Sequence, residues 1–317
     1  MTLETIAPGH DRSKYLGGSD IAAVLGISPW KTPLDLWQDK IKPRSDRPYK
    51  QVFTRGIRWE SVVAEMLVER LQADGHTVEI IGTNNRYRDQ EHPFMAAEID
   101  FEIKLDGEDE ITNVELKTVH PFKMKEWGQS DSDNMPTHYT AQCMWGLGVT
   151  KRNRSILAAL FGADELRAYP VERDEETVQA LRQRGYDFWT QHVMTGIAPE
   201  PITIADTDKL FQDEAEQPLS ADPNLAEWLM RMRFVKAEIK AREAEAEALE
   251  FQIRKAMGNA PQILMPNGKT ACEWKSRKGT YLDETALKEA YPKIARQFSR
   301  KWEKRVFTLK PFDATGV

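Results

Sequence analysis

At 317 residues and 36.4 kDa the chain is long enough for one large domain, or one domain plus an appendage, with a sizeable core. Its 40% hydrophobic and 30% charged residues are those of a globular protein and exclude a collagen, a wholly disordered chain or a coiled coil throughout. Lys plus Arg number 44 against 50 Asp plus Glu, so the formal net charge of −6 excludes a protein that coats nucleic acid by bulk positive charge, though not a basic channel on an acidic body. Two cysteines, Cys143 and Cys272, are too few for a disulfide scaffold, a four-thiolate zinc site or a four-cysteine iron–sulfur cluster. Cys143 lies in an apolar run and reads as a small core residue. The N-terminus lacks a basic-then-apolar signal pattern and no stretch approaches a membrane span, which predicts a cytosolic protein.

In chain order, SDIAAVL (19–25) follows Gly17-Gly18 and predicts a helix with Ser19 as N-cap. Thr32 and Pro33 read as the N-cap and first residue of a second helix. In TRGIRWESVVAEMLVERL (54–71), Ile57, Val62 or Val63, Met66 or Leu67, and Leu71 share one helical face. Segments 95–104 and 111–119 read as strands joined by LDGEDE, whose Asp106-Gly107 is a hairpin signal. A buried helix over 138–147 precedes a strand pair, 154–161 and 166–171, and a helix over 174–194. The Pro-rich acidic stretch 199–223 reads as a linker or exposed loop; its seven acidic residues from Glu200 to Asp222, against Lys209 alone, account for the whole charge surplus. From Leu225 to Ala256 apolar residues alternate spacings of three and four, a heptad seam interrupted by Arg242. That seam suits self-association and packing on its own domain equally. A hairpin about Asn267-Gly268 and a strand-like RVFTLK follow, within a basic stretch (271–310) that suits a secondary DNA contact or a solvated surface.

The chemistry concentrates in the hairpin 95–119. Asp100 and Glu115 are equidistant from its centre, between Gly107 and Glu108, so pairing about that turn sets them opposite one another. Lys117 shares their face, because strand side chains alternate. Two carboxylates beside an ammonium suit a hard divalent cation, with the Leu116 carbonyl as a further ligand and the lysine near a metal-bound water or a phosphate. Glu-x-Lys is a weak pattern that occurs four times here; Glu102 and Lys104 keep a shifted register open. Ten acidic residues and one lysine lie between Asp89 and Glu115, and Lys117, His120, Lys123, Lys125, Lys151, Arg152 and Arg154 follow. Acid beside base in this way fits phosphodiester cleavage, with cations holding the backbone.

Asp100…Glu115-Leu116-Lys117 is similar to the D…(D/E)xK core of the restriction-endonuclease-like nucleases. LGGSDIAAVLGISPWKTPLDLW (16–37), RGIRWESVVAEML (55–67) and MPTHYTAQCMWGLGV (135–149) resemble the signature blocks of the YqaJ-type viral recombinases, the lambda-type phage exonucleases. The resemblance covers most of 11–200. It implies an α/β (α+β) restriction-endonuclease-like core, a mixed central sheet flanked by helices, over 1–200. An acidic linker would follow over 201–223, and a helical and β extension over 224–317. It implies that Asp100, Glu115 and the Leu116 carbonyl bind one or two Mg²⁺ or Mn²⁺ ions and that Lys117 orients or deprotonates the attacking water. Glu60, in Gly56-x-x-x-Glu60, and Gln142 match further active-site positions; each also reads as an ordinary polar residue of a helix face. Tyr139 would line the same groove or pack. Arg12 and Ser19 match the positions that hold a 5′-terminal phosphate, a task to which a guanidinium fork is suited; Ser19 also reads as only a helix cap. Glu98 departs from the small hydroxyl residue common two positions before the aspartate.

The implied activity is 5′-to-3′ exodeoxyribonucleolytic degradation of linear double-stranded DNA, leaving 3′ single-stranded tails for phage-type homologous recombination in a bacterial cytoplasm. The implied partners are a single-strand annealing protein and two further copies in a ring-shaped trimer, with no membrane. A nicking or repair endonuclease on the same fold and a non-catalytic DNA-binding scaffold are the alternatives.

Overall fold

In the computed structural model the described residues are 4–5, 11–42, 51–302 and 304–312, with 4–5 and 51–57 described by backbone alone. Ile57, read as part of an apolar face, is among those whose side chains lie outside this description. The chain divides into two units, Met1–Leu210 and Phe211–Val317.

The first unit is a mixed sheet between two helical layers. After β1 (Glu4–Thr5), α1 (Gly18–Val24), α2 (Pro33–Ile41) and α3 (Gln51–Ala73) come β2 (Val78–Arg88), β3 (Ala96–Leu105), β4 (Thr112–Val119), α4 (Thr137–Thr150), β5 (Arg154–Phe161), β6 (Glu165–Glu172), α5 (Glu175–Phe188) and α6 (Ile204–Leu210). The strands lie in sequence order. Only β4 and β5 are parallel, because α4 makes the crossover between them. Leu16, Ile21, Trp145, Leu147, Leu157 and Tyr169 pack on the face that carries α1, α4 and α5. Val63, Leu67, Phe101, Ile103, Val114 and Leu160 pack on the face under α3. Burial of each such side chain contributes roughly 1.5–3 kcal/mol.

Local chemistry explains most boundaries. Thr32 caps α2, its Oγ1 accepting from Asp35 N at 3.2 Å, with Pro33 in the first turn. In α1 the cap is Gly17 rather than Ser19: Gly17 N donates to Asp20 Oδ2 at 3.1 Å, which leaves the Ser19 hydroxyl for another partner. β2 does not show in the sequence pattern. Its alternation is broken by a bulge between Ile80 and Gly82 and by Asn84 at φ 52°, and Ile80 and Ile81 both face solvent. Within the acidic stretch read as a linker, α6 is ordered, and Asp206 is fully buried, accepting from Thr32 Oγ1 at 2.7 Å.

The second unit holds α7 (Pro223–Met257), capped by Asp222, the hairpin β7 (Gln262–Leu264) and β8 (Thr270–Glu273), α8 (Glu284–Ala290) and α9 (Pro292–Phe298). Gly268, at φ 80°, supplies the left-handed turn residue of that hairpin. The segment 305–310, expected as a strand, has no regular structure. Among the described residues no helix is long and apolar enough to cross a membrane.

Candidate active site

Asp106 and Gly107, at φ 53° and 73°, make the tight turn between β3 and β4. The ladder pairs Phe101 with Val114, Glu102 with Asn113 and Ile103 with Thr112, and continued by one residue it sets Asp100 opposite Glu115. The two strands part there. Ile99 packs on the α4 face and Phe101 under α3, although residues two apart on a regular strand share a face. Asp100 Oδ2 takes the place of a ladder carbonyl, accepting from Leu116 N at 2.9 Å. Glu115, on the central strand β4, is buried and accepts from both Lys117 Nζ and Gln142 Nε2, the latter from α4.

Burial and the nearby Asp100 push the Glu115 carboxyl up to about 8, against the pull of Lys117. Burial opposes the charge on Lys117, yet Glu115 and Asp100 hold its ammonium above the usual lysine range. Glu60, on α3, is raised by partial burial and by Asp100, which places it within electrostatic reach of the same pair. Cys143 lies directly behind Glu115; burial pushes its thiol up to about 12. Among the described residues no three His, Cys, Asp or Glu side chains form a metal cage. The donor set nonetheless fits a small hard divalent cation, a kind that binds through one or two carboxylates and completes its shell with carbonyl, water and phosphate oxygens.

Arg12 and Ser19 meet beside this cluster: Arg12 Nη2 donates to Ser19 Oγ at 2.7 Å. Gly18 brings them close to Gln142, since a Cβ at Gly18 would lie 3.2 Å from Gln142 Cγ. The segment is pinned from behind, where buried Lys40 donates to Arg12 O at 2.7 Å and to Asp20 Oδ2 at 2.8 Å. Glu98 has a local role, accepting from Tyr15 OH at 2.6 Å, with Arg12 3.8 Å away.

The structure thus brings Asp100, Glu115, Leu116, Lys117 and Gln142 into contact, with Glu60 on one side and Arg12–Ser19 on the other. It removes the alternative register, because Glu102 is fully buried and bonded to Tyr87, Asn85 and Arg152. It also corrects the view of the surrounding charges. Asp89 pairs with Arg182, and Glu108 and Glu110 pair with Arg154. Much of the acidic run is therefore neutralised by arginines, and Arg152 and Arg154, read as cations for a DNA backbone, are committed to that task. Sequence reasoning missed Asp20 and Lys40, which sit 20 residues apart and meet only in the fold. Tyr139, expected to line the groove or pack, lies under the Lys117 ammonium at 5.6 Å; the two rings beside it, His138 and Trp30, were missed.

Residues 9–153 match the YqaJ-like viral recombinase domain. The uncharacterized protein YqaJ of Bacillus subtilis (strain 168) is 26% identical over 309 residues, which span 95% of this chain and 92% of that protein. An alkaline exonuclease (LHK-Exo) from Laribacter hongkongensis is similar in structure at 14% identity and a TM-score of 0.46, over 59% of this chain and 91% of its own. A phage related exonuclease from Haemophilus somnus 129PT is similar at 10% identity and a TM-score of 0.40, over 57% of this chain and 96% of its own. The stretch that matches the YqaJ-like viral recombinase domain, residues 9–153, holds the whole carboxylate–lysine cluster.

Proposed function

We propose that the chain is a metal-dependent exodeoxyribonuclease that degrades linear duplex DNA from a 5′ end and leaves a 3′ single strand for recombination. The observation that carries the reading is the juxtaposition of Asp100, Glu115 and Lys117 at the parting of β3 and β4. Asp100, Glu115 and the Leu116 carbonyl would hold one or two magnesium or manganese ions, which would supply the positive charge that a phosphodiester needs to be attacked. Lys117, kept as an ammonium by Glu115 and Asp100, orients the attacking water. Gln142 fixes Glu115, and Glu60 adds a third carboxylate. Arg12 and Ser19 hold the terminal 5′ phosphate and so set the polarity. The match of residues 9–153 to the YqaJ-like viral recombinase domain supports the recombination role; the resemblance to phage-type exonucleases further implies a single-strand annealing protein as partner, a ring-shaped homotrimer and a bacterial cytoplasm as the setting.

Incubation of linear 5′-phosphorylated and covalently closed duplex DNA with Mg²⁺ tests the reading. Linear DNA is converted to single strands, a chelator stops the reaction, and closed circles survive. Cutting of closed circles overturns the exonuclease reading in favour of an endonuclease, and DNA binding without hydrolysis overturns catalysis.

A further inference from the structure

Trp30 stands in the loop between α1 and α2 with 68% of its surface exposed; among the described phenylalanine, tyrosine and tryptophan side chains of its unit only Phe122 is more exposed. The loop is held at several points. Ser28 Oγ accepts from Trp30 N and Lys31 N, each at 3.3 Å. Lys31 Nζ reaches Asp39 at 2.7 Å, and Thr32 begins α2. The indole stands perpendicular to His138, ring centres 5.1 Å apart, and 6.2 Å from the Tyr139 ring. Tyr139 in turn lies 5.6 Å beneath Lys117 Nζ. Three rings therefore step from solvent to the lysine of the candidate active site. His138 Nε2, buried within this group, has no hydrogen-bond partner among the described residues.

A fixed indole that leaves two thirds of its surface to water needs a reason, because burial of apolar area is favourable. Its place supplies one. The two centre-to-centre legs through Tyr139 bound its distance from the ammonium at about 12 Å, within a nucleotide or two of a strand held there. Every nucleobase offers a π-face to such a ring whatever its identity, so stacking suits an enzyme that must proceed through any sequence.

We propose that Trp30 is a stacking surface for a nucleobase of the DNA strand bound at the Glu115–Lys117 site. The proposal rests on the nuclease reading above. The indole holds the base, and the Lys117 ammonium faces the phosphate, with the carboxylates acting on it only through the cation they would bind. Trp30 is thus a positioning residue whose contribution falls on substrate binding.

The test compares the full-length wild type with Trp30→Ala and Trp30→Phe on short linear 5′-phosphorylated duplexes, either intact or carrying single abasic sites at successive positions from the 5′ end. Trp30→Ala lowers kcat/KM on intact duplex roughly five- to hundred-fold, mainly through KM, and Trp30→Phe recovers most of the loss. At one position an abasic site costs the wild type a similar factor and costs Trp30→Ala nothing more. Melting temperatures of all three proteins agree. If Trp30→Ala cleaves like the wild type, or if it pays the abasic penalty in full at every position, the stacking role is overturned and the exposed indole is left for a protein partner. Absence of hydrolysis by the wild type would instead overturn the nuclease reading. Equilibrium binding of the same intact and abasic duplexes then decides the stacking role by the same comparison.

Discussion

Lys117 is where the charges of the site balance, with Glu115 in contact and Asp100 close enough to help hold its proton. If its role is chemical, Lys117→Ala retains binding to DNA ends and loses cleavage by a factor of at least about 10², the lower range for a positioned acid–base group. Binding and initial rates measured on one preparation check this, and unchanged cleavage would remove the lysine from the mechanism. Lys40 illustrates the structural counterpart. Lys40→Met strands the buried carboxylate of Asp20 and costs about 3–5 kcal/mol in denaturant unfolding at neutral pH. Burial pushes the Asp20 carboxyl up, but Lys40 and Arg12 outweigh it and hold the group below the usual range. The unfolded chain therefore binds this proton first, so the stability it contributes is present above about pH 4 and lost as pH falls through the folded value. Wild-type and Lys40→Met stabilities converge in acid; a gap that stays constant would refute the pairing. The two residues differ in how far they were legible. Glu115 and Lys117 lie two apart on one strand, where periodicity announces them. Asp20 and Lys40 lie on different helices, and nothing local links them.

Among the elements, the hairpin of β3 and β4 was readable because its turn residues and register obey one symmetry about Gly107–Glu108. β2 was not, because a bulge and a left-handed asparagine break its alternation and two of its apolar residues, Ile80 and Ile81, face outward. The turn-over of β3 at Asp100 was equally hidden, since it exists only relative to α3 and α4. Helix packing was visible as apolar faces but not as contacts. Gly185 on α5 is an example: a Cβ there would come within 2.8 Å of Trp145 on α4. Gly185→Ala destabilises the first unit by about 1–3 kcal/mol through overpacking, despite the gain in helix propensity. Thermal and denaturant unfolding check the sign. A more stable variant would show that the two helices can slide apart.

For the molecule as a whole, the net charge of −6 conceals a division of labour. Many of the arginines of the first unit are spent on neighbouring carboxylates, so the proposed DNA binding would depend on a few cations that keep a measure of exposure. Arg12, about half exposed and held above its ordinary range by Asp20 and Glu98 despite burial, is the foremost of them. Affinity for 5′-phosphorylated duplex ends then falls as monovalent salt rises. Arg12→Ala reduces the magnitude of the log–log salt slope by about 1 and brings the rate on phosphorylated ends down to that on unphosphorylated ends. An unaltered slope would assign the phosphate to another group. None of this was legible from composition, because pairing partners such as Asp89 and Arg182 are 93 residues apart in the chain.

The burial of Cys143 behind Glu115 has a practical consequence. With its thiol pushed up to about 12 and shielded from solvent, it resists maleimides and mild oxidants in the native state. Cys272, on the small hairpin of the second unit, is only partly covered. The unmodified sequence is therefore ready for single-site labelling: one dye per native chain, two per denatured chain, with the second reaction counting the molecules that have opened.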